Sequence, residues 1–313
     1  MNAAASVTNP FVHEALFYRD TDEYQNGTLP FIRAGLDAGE PVMVAVPGPN
    51  IDVIRAGLNG SAGMVRFADM TQAGRNPGRI IPWVLNAFLD EHAGADRVRV
   101  IGEPIWAERS ATEYPACVQH EALINLAFTG RAATILCPYD VQRLDPEVVA
   151  DAESTHPILV DKAGKQASAA YGEPENVVAA FNWPLPSPPV PADTLVFGAG
   201  DLPRVRQFVV QHANWAGMSA QRVDDLEMAV NEVATNSVAH TTGPGTLRVW
   251  KETGTVVCEV RDPGPFDNVL AGRIPPPPGS PGGRGLLLVN HVCDLVRLYT
   301  HESGTVIRLH MSL

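Results

Sequence analysis

The spacing of apolar residues changes character along the chain. Val42-Met-Val-Ala-Val46 is an unbroken apolar run that stops at Pro47-Gly-Pro-Asn50, and it predicts a strand covered on both faces. Helical spacing follows over 51–58, and a second strand is predicted over 64–68. An amphipathic helix is predicted over 80–92, a strand over 97–101, a helix over 112–128 and a strand over 133–137. Strands alternating with helices in this way predict a mostly parallel sheet covered by helices, an α/β domain.

The alternation ends at Trp183-Pro-Leu-Pro-Ser-Pro-Pro-Val-Pro191. Five prolines in nine residues remove backbone donors and fix φ near −65°, so this run predicts a semi-rigid extended spacer. The expected organisation is a domain over 1–181, a linker over 182–192 and a second domain over 193–313.

Beyond the spacer the order differs. A short strand (194–197) precedes a helix beginning near Leu202 and a long helix over 220–239. Paired strands are expected at 246–251 and 256–261, followed by a proline-rich loop over 275–281. A helix (284–292) and two strands (295–301 and 304–311) close the chain. Helices on one side of a mixed sheet make an α+β two-layer sandwich.

Composition narrows the function. At 313 residues the chain exceeds one ordinary domain, and its net charge of −12 supplies no positive field to attract a phosphate backbone. Direct nucleic-acid binding is therefore not expected. No stretch approaches the roughly 20 apolar residues that span a bilayer, and the first ten residues have neither a basic nor an apolar leader region. A cytoplasmic location without membrane association is expected. Cys117, Cys137, Cys258 and Cys293 are far apart in sequence and read as isolated buried thiols, with neither disulfide nor zinc-knuckle spacing.

The long helix carries Asn231-Glu-Val-Ala-Thr-Asn-Ser-Val-Ala-His240. Glu232, Asn236 and His240, at i, i+4 and i+8, form one stripe. Val223, Leu226, Val230, Val233 and Ser237 form a second stripe, about 100° away, which is expected to press on the sheet. Ala229 is expected to leave room on the polar side. Such a polar stripe, by itself, also fits a solvated surface.

Three downstream features select the cleft reading. Val260-Arg-Asp-Pro-Gly264 puts Asp262 at a strand end, where a carboxylate can accept from an adenine amino group and Gly264 permits close approach. Pro281-Gly-Gly-Arg-Gly285 opens a helix whose free N–H groups and positive dipole end suit phosphate, with Arg284 as a charged donor. Gly304-Thr305 begins the last strand, within reach of a base.

The series Glu232-x-x-x-Asn236, Asp262-x-Gly264, Gly283-x-Gly285 and Gly304-Thr305 resembles the N, G1, G2 and G3 boxes of the histidine-kinase-like ATPase superfamily. The short domain and its Gly-Gly-Arg-Gly-Leu-Leu-Leu-Val run look most like anti-sigma serine/threonine kinases of the RsbW and SpoIIAB type. That resemblance implies ATP and Mg²⁺ as cofactors. It implies Glu232 as the base on a seryl or threonyl hydroxyl and Asn236 as metal ligand. Asp262 and Thr305 would hold adenine, and Gly264, Gly283, Arg284 and Gly285 would complete the nucleotide site. The implied partners are a sigma factor and an anti-anti-sigma protein of the STAS type, with a homodimer as the family's usual assembly. One position departs from the pattern: a fuller G1 box has a second glycine where Phe266 stands, after the stiff Pro265. A partner-sequestering switch without turnover is thus the alternative to a kinase. No Walker A sequence is present.

In an open α/β sheet, ligands bind beyond the carboxyl ends of strands. Pro47–Asn50, Asp69, Gly102-Glu103 and Pro138-Tyr139-Asp140 occupy such ends. They are either one sensory crevice or ordinary loop residues. The segments His13-Glu-Ala-Leu-Phe-Tyr18 and Phe31-Ile-Arg-Ala-Gly-Leu-Asp-Ala-Gly-Glu40, with the strand that follows, resemble a MEDS domain, a sensory domain described in methanogens and methylotrophs. The likeness spans about 10–165 and implies a sensor fused to an output module. His13 reads either as a ligand contact or as a satisfied structural histidine.

Overall fold

The structure is a computed structural model that describes residues 10–277, 279–280 and 282–313. The leader reading of the first residues, and Pro278 and Pro281 of the proline-rich loop, lie outside the described residues. The chain divides into two compact units: 1–74, 84–110 and 117–177 form the first, and 75–83, 111–116 and 178–313 the second.

In chain order the first part comprises β1 (Val12–Tyr18), α1 (Thr21–Asp37), β2 (Val42–Val46), α2 (Gly48–Leu58), β3 (Val65–Asp69) and α3 (Met70–Ala73). Next come α4 (Pro77–Arg79), a π-helical turn (Ile80–Leu85), α5 (Asn86–Glu91), β4 (Val98–Gly102), α6 (Tyr114–Ala127) and β5 (Ala133–Asp140). Then follow α7 (Pro146–Thr155), β6 (Ile158–Asp161), β7 (Gly164–Ala167) and α8 (Pro174–Ala180). The seven strands form one sheet in the order β3-β2-β4-β5-β1-β6-β7. Every pairing is parallel except the β6–β7 hairpin, as expected of an α/β unit.

Local chemistry explains these elements. Asp20 caps α1 by accepting from the Glu23 N–H at 2.8 Å, and Asp22 and Glu23 complement the positive end of the helix dipole. The helix expected over 80–92 is instead broken into a π turn and the short α5. Pro82 lacks an N–H and crowds the preceding carbonyl, which forces the ladder to widen there. On one side of the sheet Leu16, Ile32, Val44, Ile54, Ile101 and Leu136 pack as a continuous core.

The second unit contains β8 (Asp193–Phe197), α9 (Leu202–Ala216), α10 (Ala220–His240), β9 (Gly245–Glu252), β10 (Thr255–Asp262), α11 (Gly285–Val292), β11 (Leu295–His301) and β12 (Gly304–Ser312). Its sheet runs β11-β12-β10-β9-β8, and all pairings are antiparallel rather than mixed. The tight hairpins β9–β10 and β11–β12 allow no other arrangement for those pairs. Val223, Leu226, Val230, Val233 and Ser237 of α10 are all buried, so the apolar stripe meets the sheet as its period required. Ala229 is also fully buried, within the core rather than beside the cleft.

On this sheet Glu259 of β10 is fully buried and ion-paired with Arg248, Arg261 and Arg308. The proline run lies against the same unit. Asn182 exchanges hydrogen bonds with the Thr300 backbone at 2.7 and 3.1 Å, and Arg308 donates to the Pro186 carbonyl at 2.6 Å.

Candidate functional site

A cleft of about 460 Å³ opens between α10, the strand ends and the loop before α11. Asn236, His240, Asp262, Phe266, Gly283, Gly285 and Thr305 are among its lining residues. The sheet register sets two of them side by side, because Asp262 of β10 pairs directly with Thr305 of β12. The Gly264 N–H donates to Asp262 Oδ1 at 2.9 Å, which orients the carboxylate and leaves Oδ2 as an acceptor. Thr305 donates its hydroxyl to the Gly264 carbonyl at 2.8 Å, and its Oγ1 lies 3.2 Å from Thr300 Oγ1. Gly264 does not itself line the cleft, but its N–H and carbonyl hold Asp262 and Thr305 in place.

Glu232 stands one helical turn before Asn236 and does not line that cleft. It faces a neighbouring depression with Arg284, Gly285 and Leu288. A Cβ built on Gly285 would meet Glu232 Oε2 at 2.5 Å, so the absent side chain is what lets the carboxylate reach the start of α11. Arg284 donates to the Ser280 carbonyl at 3.1 Å and likewise stays outside the main cleft. The start of α11 thus stands between the two, with Gly283 lining the main cleft and Gly285 lining both. Phe266, where the motif has its glycine departure, lies on the cleft wall, and its N–H donates to Thr300 Oγ1 at 3.3 Å.

The cleft also recruits Thr241, Asp267, Asn268, Gly272 and Leu286, which the sequence did not single out. The polar Asp267-Asn268 pair directly after Phe266 is the only local hint of them.

In the first unit a second cleft, of about 550 Å³, lies at the carboxyl ends of the parallel strands. Glu103 and Asp140 line it, together with Asn50, Tyr18, Tyr24 and Arg143. Asn50 donates to both Glu103 oxygens at 3.0 and 2.8 Å. Burial raises the Glu103 carboxyl to about 8, against the opposing effect of those hydrogen bonds. Asp69 caps α3 by accepting from the Thr71 N–H at 2.9 Å and is not among the residues that line the cleft.

His13 and Tyr139 lie elsewhere. Both are buried, on the face of β1 and β5 that meets α6, where Tyr139 donates to Glu121 Oε1 at 3.1 Å. His13, Glu121, Cys137 and His156 converge there, each fully or almost fully buried. Burial lowers His13 and His156 to about 3, so both rings are neutral, and it raises Glu121 and Cys137. The sequence pointed to His13 and Tyr139 but gave no spacing that joined them to the other three.

Comparison with known proteins places both units. Residues 12–157 match the family model of MEDS, the methanogen/methylotroph, DcmR sensory domain, and 198–311 match that of the histidine kinase-like ATPase domain. No curated protein sequence matches the chain at a significant level. One similar solved structure holds the RsbU and RsbW domains of a Mycobacterium tuberculosis protein, at 17% identity and a TM-score of 0.30. The match covers 39% of this chain and 32% of that one, so the chain spans about a third of the length of that relative. Another is the Acinetobacter baumannii histidine kinase AdeS, at 10% identity and a TM-score of 0.24, covering 63% of this chain and 94% of that one. Among the described residues no helix is long and apolar enough to cross a membrane. With a matched family over each unit, the chain is a MEDS sensory domain joined to a histidine-kinase-like ATPase domain.

Proposed function

We propose that this chain is a sensor-coupled anti-sigma regulatory factor that binds Mg-ATP and phosphorylates an anti-anti-sigma partner on Ser or Thr. The observation that carries the reading is the convergence of Asn236, Asp262, Thr305, Gly283 and Gly285 on one cleft. In this reading Asp262 Oδ2 accepts from the adenine amino group, and Thr305 holds the opposite side of the same corner. The segment from Gly283 to Gly285, at the start of α11, presents backbone N–H groups and the positive end of the helix dipole to phosphate. Asn236 would supply an amide oxygen to Mg²⁺, an ion that would neutralise phosphate charge. Glu232 accepts the proton of the partner's hydroxyl as that oxygen bonds to the γ-phosphorus and the bond to the ADP oxygen breaks. Residues 1–181 serve as the sensor, with Glu103 and Asp140 in its ligand cleft, and 182–192 join it to the output domain.

One observation favours a second reading, a nucleotide-dependent switch that sequesters a sigma factor without turnover. Glu232 lies outside the cleft that Asn236 lines, and Phe266 occupies the wall where the motif has glycine. The deciding experiment measures ATP affinity by calorimetry with and without Mg²⁺, in wild type and Asn236→Ala. Metal-enhanced binding is expected in the wild type only. An affinity that the substitution leaves unchanged removes the assignment of Asn236, and no ATP binding at all removes both readings.

A further inference from the structure

We propose that His13, Glu121, Cys137 and His156 form a site for one divalent transition-metal ion of the zinc class, inside the MEDS domain. The four ligating atoms come from β1, α6, β5 and the residue that ends α7, and all lie within 4.8 Å of one another. His13 Nε2 is 3.2 Å from Glu121 Oε2 and 3.4 Å from Cys137 Sγ. Glu121 Oε2 is 3.6 Å from both Cys137 Sγ and His156 Nε2. A tetrahedral ion with bonds of about 2.0–2.3 Å sets its ligands about 3.3–3.6 Å apart, which is the spacing found along these edges.

The surroundings orient these atoms as a metal requires. His13 Nδ1 faces Asn125 Oδ1 at 3.2 Å, and Asn125 is itself held by donating Nδ2 to the Thr155 carbonyl at 2.8 Å. With the amide so fixed, His13 carries its proton on Nδ1 and presents a lone pair at Nε2. His156 Nδ1 lies 2.8 Å from the Ala152 carbonyl, which fixes the same tautomer. Tyr139 donates to the far oxygen of Glu121 at 3.1 Å, leaving Oε2 toward the centre. Each of these three ligands thus has the outer partner that metal-bound imidazoles and carboxylates usually have.

Two further facts separate the cluster from an ordinary buried hydrogen-bond network. His156 is fully buried, yet its Nε2 has no hydrogen-bond partner. A buried lone pair left unmatched costs about 1–3 kcal/mol, and a metal ion is the partner the geometry offers it. Charge also balances: a thiolate and a carboxylate with two neutral imidazoles exactly offset a dication, so the filled site adds no net charge to the interior. Binding releases the thiol proton to solvent. Four protein ligands leave no open position, so the ion acts as a clasp that ties two neighbouring strands to two helices rather than as a catalytic centre.

The test is a titration of the full chain, stripped by chelator, with Co²⁺. Cobalt bound to a thiolate gives a near-ultraviolet charge-transfer band, so the wild type alone is informative. One equivalent of Co²⁺ is expected to bind with that band, and Zn²⁺ to displace it and raise the thermal midpoint. The band should vanish in Cys137→Ser and persist in Cys117→Ser. Asn125→Ala, which leaves all four ligands in place, should weaken binding by about 10- to 100-fold. A folded wild type that shows no thiolate band at saturating Co²⁺ overturns the site, as does a band unchanged in a folded Cys137→Ser.

Discussion

Gly304 and Asp262 meet so closely that a Cβ on Gly304 would stand 2.1 Å from the Asp262 carbonyl oxygen. Gly304 also has a φ of +142°, a conformation that residues with side chains rarely adopt. The strand turn that opens β12 and the strand end that carries Asp262 are therefore built on one contact. Gly304→Ala is expected to cost at least about 2 kcal/mol in denaturant unfolding, from backbone strain and steric overlap together. It should also weaken ATP binding, because it displaces Asp262. Normal stability in this variant would contradict the contact.

Asp262 itself is expected to govern recognition of the base. Asp262→Asn keeps the shape and the acceptor for the Gly264 N–H but puts a donor where the adenine amino group would donate. ATP affinity should fall by roughly 10- to 100-fold, the effect of one lost charged hydrogen bond and one misplaced donor. Circular dichroism should show an unchanged fold. Equal affinities measured by calorimetry would place adenine elsewhere.

Glu232 separates turnover from binding. In Glu232→Gln the label transferred from ATP to an anti-anti-sigma protein should drop by about 10²- to 10⁴-fold, as for loss of a general base. ATP affinity should change little, since Glu232 does not line the cleft. Transfer that persists in the variant would assign the base to another group.

Glu103 makes the stability of the first unit depend on pH. Its carboxyl is raised by burial from 4.5 to about 8, so the folded chain binds a proton that the unfolded chain releases. The stabilisation is complete below about pH 4.5 and is lost as pH rises through 8, with a slope of up to about 1.4 kcal/mol per pH unit. Glu103→Gln removes this proton. The stability difference, variant minus wild type, should therefore rise between pH 5 and pH 8. A difference that is flat over this range, measured by urea unfolding, would mean that Glu103 titrates normally.

Glu259 is the counter-charge for three arginines on the sheet of the second unit. Arg308 is buried, and its Nε donates to Glu259 Oε2 at 3.1 Å. Glu259→Ala leaves that guanidinium without its partner and is expected to cost about 3–5 kcal/mol. The double variant Glu259→Leu with Arg308→Met should recover most of it, which a denaturation series would check.

Much of this protein was legible in its sequence. The unbroken run Val42–Val46 and the strand–helix alternation around it were enough for the parallel sheet, because a strand covered on both faces has no polar positions to show. The stripe of Val223, Leu226, Val230, Val233 and Ser237 fixed which side of α10 meets the sheet, since helical period alone decides that. The three glycine-bearing boxes were readable because each sits at a turn, strand end or helix start, where residue type follows from backbone geometry, whereas Glu232 and Asn236 lie inside α10 and show only as a polar stripe. Even so, the periodicity missed β1: its buried His13 and Glu14 look like surface residues in one dimension. It also missed β7, whose four residues are all exposed.

What only the tertiary structure decided is which distant residues share a space. Glu232 and Asn236 are neighbours on one helical stripe, yet the start of α11 leaves them on different sides of Gly285. His13 and Cys137 are separated by 124 residues, and it is the parallel pairing of β1 with β5 that brings them to 3.4 Å. Their meeting with Glu121 and His156 follows from how α6 and α7 cover that sheet. Periodicity is a property of adjacent residues and so survives in the sequence. Convergence depends on strand order and helix placement, which no spacing along the chain records.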